Sequence, residues 1–117
     1  MSRLTKHFTF EEMTATQTGL DNTPDIFQCH QLLHTARILE RVRARCGFPL
    51  VINSGFRSDS VNSAVGGTPH SYHLDGRAVD IDISSMSVGK VEHLVSALWY
   101  ENPVELIEKA SYIHVAF

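Results

Sequence analysis

The chain has 117 residues, of which 43% are hydrophobic and 20% charged. This size and composition predict one globular domain over residues 1–117 and exclude disordered and fibrous proteins. The net charge is −3, whereas proteins that bind nucleic acids or anionic membranes carry an excess of basic residues. No apolar run approaches the ~20 residues that cross a bilayer. Seven histidines against two cysteines raise the question of a metal site.

The first predicted elements are helical. Thr9 and Glu12 form a capping-box pattern, which indicates a short helical turn at that point. A long helix is predicted over residues 24–46, because Thr23–Pro24 is typical of a helix start and apolar residues then recur at helical spacing. Gly47 is typical of its end.

The two cysteines, Cys29 and Cys46, lie at opposite ends of this predicted helix. Their α-carbons would be about 25 Å apart at ~1.5 Å per residue, which is too far for a disulfide. Free thiols favour a reducing compartment, and the first seven residues contain no apolar segment typical of a secretory signal.

The second half of the chain contains short strands. The pattern predicts them at residues 50–53, 78–83, 104–108 and 112–116, the last two forming a hairpin. Residues 57–77 are predicted to be a long polar loop, of the kind that carries function in a compact domain. A second helix begins after Ser87 and runs to about Tyr100. The predicted fold class is therefore α+β, an antiparallel sheet with helices packed on one side.

The densest group of chemically active residues surrounds Gly76, which allows a sharp turn. His73 precedes the strand of residues 78–83, Asp80 lies on the polar face of that strand, and His114 lies on the last strand. Two imidazoles and one carboxylate form a zinc-ligand set that leaves the fourth position to water. Bound zinc lowers the pKa of that water to about 7 and polarises a carbonyl group.

A proton acceptor for such a site is suggested by Glu108, six residues before His114. If the hairpin loop has an odd number of residues, the two are cross-strand partners on one face, and Glu108 points at the metal-bound water as a general base. The alternative is that Glu108 is a solvated charge on the hairpin.

One motif carries a family resemblance: residues 71–80 match every fixed position of S-x-H-x-x-G-x-A-x-D. The chain resembles the zinc D-alanyl-D-alanine carboxypeptidases, a family that includes phage L-alanyl-D-glutamate endolysin peptidases and shares its fold with hedgehog signalling domains. Three further segments are similar to family motifs, namely SGFRS at 54–58, N-x-x-VGG at 62–67 and YIHV at 112–115. The similarity spans nearly the whole chain.

The resemblance implies a role for each matching residue. His73, Asp80 and His114 fall on the ligands of Zn²⁺, and Arg57 falls on an arginine that holds a substrate carboxylate, for which a guanidinium fork is suited. Glu108 falls where the compact phage-type and hedgehog-like members carry a glutamate, which favours its general-base role.

Two positions depart from the family pattern. Ser111 stands where many members carry the catalytic acid, and Tyr112 stands where others carry a histidine. A serine cannot act as a carboxylate base. Either Glu108 accepts the proton, or the domain is a weak or inactive zinc-bound module that binds peptides of the bacterial cell wall or a protein partner.

Three neighbouring groups are further candidates. His70 and Ser71 are candidate substrate contacts, with an ordinary loop position as the alternative for His70. Asp82 shares a face with Asp80 and is a candidate alternative or supporting group, but a strand residue at the rim of the sheet is the preferred interpretation.

A second histidine pair, His30 and His34, imitates the H-E-x-x-H zinc motif. Gln31 replaces the glutamate of that motif, and Arg37 and Arg41 continue the same polar stripe. A solvated helix face is therefore the preferred interpretation of this pair.

The resemblance implies a zinc metallopeptidase that hydrolyses stem peptides of bacterial peptidoglycan. The reaction is that of a D-Ala-D-Ala carboxypeptidase or an L-Ala-D-Glu endopeptidase. We expect a monomer without nucleic-acid or membrane partners, synthesised in the bacterial cytoplasm without a signal peptide, and acting on the cell wall or carried in a phage particle.

Overall fold

A four-stranded antiparallel sheet organises the molecule, in a computed structural model that describes residues 2–117. The strands are β1 (Ile52–Ser54), β2 (Ala78–Asp82), β3 (Glu105–Glu108) and β4 (Tyr112–Ala116). Their order in the sheet is β1-β2-β4-β3, so the last strand of the chain occupies an interior position between β2 and β3.

Within residues 2–117, four α-helices and one 3₁₀ helix accompany the sheet. They are α1 (Phe10–Met13), α2 (Ile26–Cys46), α3 (Asp59–Ala64), the 3₁₀ helix Tyr72–Asp75, and α4 (Val88–Tyr100). The predicted turn after Thr9, the predicted helix after Ser87 and the C-terminal hairpin are confirmed. None of the described helices is both long and apolar enough to cross a membrane.

The long helix α2 begins two residues later than predicted. Asp25 is its N-cap and forms a capping box with Gln28, whereas the Thr23 hydroxyl donates to the Asp21 carboxylate and does not cap the helix. Gly47 ends α2 in the left-handed conformation, with a φ of 84°. The cysteines at either end of α2 are both free, as predicted.

The hydrophobic core lies between one face of the sheet and the helices α2 and α4. β2 contributes Val79 and Ile81, and β4 contributes Ile113 and Val115, all fully buried. α2 and α4 pack their apolar faces into the same core. The predicted α+β class with an antiparallel sheet is confirmed, and the two long helices α2 and α4 pack on one side of that sheet.

The prediction of an irregular polar loop over residues 57–77 is wrong, because this segment contains α3 and the 3₁₀ helix. Ser58 caps α3 by accepting a hydrogen bond from Val61 N, and Ser71 caps the 3₁₀ helix by accepting one from His73 N. With this segment present, both faces of β2 are buried, including Asp80, and β2 is not the half-buried strand that was predicted.

Candidate metal centre

His73, Asp80 and His114 meet on the face of the sheet opposite the core. His73 lies in the 3₁₀ helix, and Gly76, with a φ of 74°, turns the chain from this helix towards β2. Asp80 on β2 and His114 on β4 are directly paired across the two strands. One possible ligand atom from each residue lies within 4.8 Å of the others.

The His73 ring is fully buried, and a main-chain carbonyl group fixes its orientation. Its Nδ1 atom lies 2.6 Å from the carbonyl oxygen of Gly55, which can only accept a hydrogen bond, so Nδ1 carries a hydrogen. The Nε2 atom lies 3.2 Å from Asp80 Oδ1. A metal ion that replaces the hydrogen on Nε2 could therefore be bound by His73 through this atom.

The His114 ring lies between two carboxylates. Its Nδ1 atom is 3.0 Å from Asp80 Oδ1, and its Nε2 atom contacts a carboxylate oxygen of Glu105. Hydrogen bonding to Asp80 raises the pKa of His114, although burial opposes this, and the Glu105 carboxylate adds to the increase.

Asp80 carries the negative charge of the site. Burial alone would raise the pKa of its carboxyl group, but hydrogen bonds from His114 and His73 outweigh burial and hold that pKa well below its usual range. Asp80 is therefore an anion at any pH near neutrality, the form in which a carboxylate binds a cation.

The three side chains fit a metal ion in donor type and spacing. Tetrahedral zinc, with bonds of about 2.0–2.1 Å, separates its ligand atoms by about 3.4 Å. The separations of 3.2 Å and 3.0 Å from Asp80 Oδ1 to the two imidazoles are close to that value. The group can hold a metal ion with small side-chain adjustments.

Arg57 lies beside the three candidate ligands. Its Nη2 atom donates to Asp80 Oδ2 at 3.2 Å, its Nε atom to the Ser54 hydroxyl at 3.2 Å, and its Nη1 atom to Asn62 Oδ1 at 3.4 Å. The buried Asn62 is fixed in turn by donating to the Thr68 carbonyl. Arg57 thus neutralises the second oxygen of Asp80 and is held in place by neutral groups.

A cleft of about 440 Å³ opens above this centre. The predicted residues that line it are His73, Asp80, His114, Arg57, His70 and Ser71. Residues that line it without having been assigned a role there include Tyr72, Glu105, Ile107 and Lys109. Tyr112 also lines the cleft. It stands where some members of the family that the sequence resembles carry a histidine.

The predicted pairing of Glu108 with His114 is wrong. His114 pairs with Ile107, and Glu108 pairs with Ile113, whose side chain belongs to the opposite face. The backbone N–H of Lys109 donates to the Tyr112 carbonyl as the last hydrogen bond of the hairpin, which leaves two residues in the turn. The predicted pairing required an odd number. The register is shifted by one residue, so Glu108 is exposed and does not line the cleft.

Glu105 is the acidic residue that the sequence reasoning missed. It pairs with Ala116, two positions from His114 along β4, and therefore shares the face of His114. From the sequence, Glu105 lies two residues before Ile107 and must share its face of β3. Whether that is the face of His114 can be predicted only when the register of the hairpin is known.

The other candidates lie away from the centre. His30 and His34 are exposed on α2, in agreement with a solvated helix face. Asp82 accepts a hydrogen bond from Ser84 N at 2.8 Å and is not a member of the metal-ligand group.

Two histidines and one carboxylate lining a cleft are a donor set that catalytic zinc sites of hydrolases use. Residues 6–116 match the family model described as Peptidase M15. The chain belongs to this family of peptidases. A search of curated proteins gives no match.

Proposed function

We propose that the protein is a zinc peptidase that hydrolyses stem peptides of bacterial peptidoglycan. The observation that carries this proposal is the position of three candidate ligands and Arg57 at the floor of one open cleft. Membership of the Peptidase M15 family supports the peptidase activity. We further propose a monomer that acts on the cell wall, either from the bacterial cell or as part of a phage particle.

The metal would be held by His73 Nε2, a carboxylate oxygen of Asp80 and His114 Nδ1. When bound, zinc supplies an ionised water near neutral pH and polarises the carbonyl group that is attacked. The chain supplies ligand orientation, through the Gly55 carbonyl on His73, and charge balance, through Arg57 on Asp80.

Arg57 is suited to orient the substrate. A guanidinium has five N–H donors, and three of them are used on Asp80, Ser54 and Asn62, which leaves two. These two donors are available to a carboxylate of the stem peptide that enters the cleft. The fixed position of the guanidinium reduces the entropy lost when the substrate binds.

Ser71 and His70 are proposed to contact the peptide at the wall of the cleft. The Ser71 hydroxyl accepts a hydrogen bond from His73 N at 3.1 Å, so its own hydrogen remains free to be donated to a substrate carbonyl. His70 is exposed and can both donate and accept. Neither side chain belongs to the metal-ligand group.

The test is digestion of purified peptidoglycan, with mass spectrometry to identify the bond that is cut. We expect soluble products from the zinc-loaded protein, and none after treatment with a chelator or from a His73→Ala variant. Loss of a terminal D-alanine would identify a D-Ala-D-Ala carboxypeptidase, and separation of L-Ala from D-Glu an endopeptidase. Equal digestion with and without zinc would contradict the proposal.

One observation favours a second function, a zinc-bound module that binds wall peptide without cutting it. Glu108 lies on the other face of β3, and Glu105 is engaged with His114, so neither carboxylate lies where it would accept a proton from a water on the metal. Saturable binding of stem peptide by zinc-loaded protein, without any product, would support this module over the enzyme.

A further inference from the structure

We infer that Glu105 is a positioning residue for the metal centre, acting through His114. Its carboxylate holds the imidazole nitrogen that faces away from Asp80 and so fixes the ring in the orientation a metal ion requires. This inference rests on the metal site of the proposed function, because a positioning role towards a metal ligand needs the metal to bind there.

The hairpin register brings the two side chains together. Glu105 pairs with Ala116 and Ile107 pairs with His114, so Glu105 and His114 are diagonal neighbours on one face of the sheet. The Glu105 carboxylate contacts His114 Nε2, while His114 Nδ1 lies 3.0 Å from Asp80 Oδ1. The imidazole therefore lies between the ligand group and an edge-strand carboxylate.

The chemistry of this contact is that of a supported metal ligand. An imidazole that binds a metal through one nitrogen usually donates the hydrogen of its other nitrogen to an oxygen, which fixes the tautomer and increases the basicity of the ligating nitrogen. With Glu105 as the acceptor, the hydrogen stays on Nε2 and the lone pair stays on Nδ1. A carboxylate acceptor increases this basicity more than a neutral oxygen does.

The two histidine ligands are supported in different ways. His73 has the neutral carbonyl oxygen of Gly55 behind it, and the ring is completely buried. His114 has the Glu105 carboxylate, whose side chain is 40% exposed and lines the cleft. A main-chain carbonyl fixes the His73 ring, whereas the accessible Glu105 side chain fixes the His114 ring. The contact that orients His114 can therefore be removed by a single substitution.

Position also separates this role from that of a proton acceptor. The Glu105 carboxylate touches the far side of the His114 ring, and the ring lies between it and Asp80 Oδ1. A general base must instead reach the reacting water directly or through one further water. Positioning through His114 is the role that this contact supports.

The test measures zinc binding without any peptide substrate. Wild type, Glu105→Gln and Glu105→Ala are titrated against a chromophoric chelator, with Glu108→Gln as a matched control from the other face of the same strand. We expect Glu105→Ala to bind zinc about 10- to 100-fold more weakly, as is usual when such a partner is lost. Glu105→Gln should lie between, because it keeps an acceptor but loses the charge, and the Glu108 variant should match wild type.

A second measurement covers the outcome in which Glu105→Ala folds poorly. The ¹⁵N resonances of the His114 ring in zinc-loaded wild type should show a hydrogen on Nε2, and in Glu105→Gln that hydrogen should exchange faster with solvent. Glu105 variants that bind zinc as wild type does, with or without loss of peptide cleavage, would overturn the inference. Absence of zinc binding by wild type would instead overturn the proposed function.

Discussion

His73 Nδ1 lies 2.6 Å from the carbonyl oxygen of Gly55, and this contact connects a candidate metal ligand to the segment that packs against the N-terminal helix α1. The residue after Gly55, Phe56, donates its backbone N–H to the Met13 carbonyl at 2.8 Å. A Cβ atom on Gly55 would lie 2.4 Å from that same Met13 oxygen. The backbone that orients His73 is therefore packed directly against the end of α1.

We expect Gly55→Ala to destabilise the metal-free protein by about 1–3 kcal/mol, the usual cost of overpacking, and also to weaken zinc binding. The added methyl group must push the Gly55 backbone away from Met13, and this movement shifts the acceptor of His73. Urea denaturation and chelator competition measure the two effects.

Gly89→Ala is the control for this substitution. Gly89 lies near the start of α4, and a Cβ atom there would have no neighbour within 4 Å. We expect an unchanged or slightly higher free energy of unfolding, because alanine is the better helix former. Equal effects of the two substitutions would contradict the close packing of Gly55.

We expect Glu108→Gln to keep its peptide-cleaving activity within about twofold of wild type. The side chain is exposed and lies outside the cleft, on the face opposite His114. Losing a general base reduces rates by about 10²- to 10⁴-fold, so the assay distinguishes the two cases clearly. A loss of that size in stem-peptide cleavage would restore Glu108 as the base.

We expect Arg57→Lys to lower kcat/KM for stem peptides by about 10- to 100-fold, as expected for the loss of hydrogen bonds to charged groups. An ammonium group cannot reproduce the three separate donations to Asp80, Ser54 and Asn62. Arg41→Lys is the control, because Arg41 is exposed and pairs with Glu101 through a surface salt bridge. Similar kcat/KM values for the two variants would rule out the substrate role of Arg57.

The metal-free protein should lose stability at both ends of the pH scale. The pKa of His114 is raised above its usual 6.5, so its contribution is fully present below pH 6.5 and is lost as the pH rises through the folded-state pKa. The pKa of Asp80 is lowered, so its contribution is present above pH 3.8 and is lost as the pH falls.

Denaturation in the presence of a chelator, at a series of pH values, measures this profile. A His114→Gln variant should lack the decrease in stability above pH 6.5, because the group that titrates is gone. The same decrease in both proteins would show that another group is responsible.

Zinc should stabilise the folded protein by mass action. At a free concentration one thousand times its dissociation constant, a ligand adds about 4 kcal/mol to the free energy of unfolding. We expect this increase for wild type and its loss in His73→Ala, as measured by denaturation with and without zinc. An increase of equal size in the variant would place the bound metal elsewhere.

Local patterns were sufficient to predict much of this molecule. The bounds of α4 follow from the Ser87 cap and the helical spacing of its leucines, and the grouping of His73, Asp80 and His114 follows from the motif around Gly76 and the closing strand. Each of these rests on neighbours in the sequence or on a resemblance that spans nearly the whole chain.

Relationships between distant segments could not be predicted in the same way. The face of Glu108 depends on whether the hairpin turn has two residues or three, which composition does not determine. The contact of Arg57 with Asp80 joins residues that are 23 positions apart. α3 was missed because it is short and polar, and it depends on its Ser58 cap and on packing against the 3₁₀ helix.

The interior position of β4 has a consequence for kinetics. Asp80 and His114 are 34 residues apart and lie on the two central strands, so an ion bound to both would tie the C-terminal hairpin to the rest of the sheet. If these ligands come together only after the main folding barrier is crossed, such a tie slows unfolding and leaves the folding rate unchanged. Zinc would then lengthen the lifetime of the native state, and with it resistance to proteases that attack through global opening.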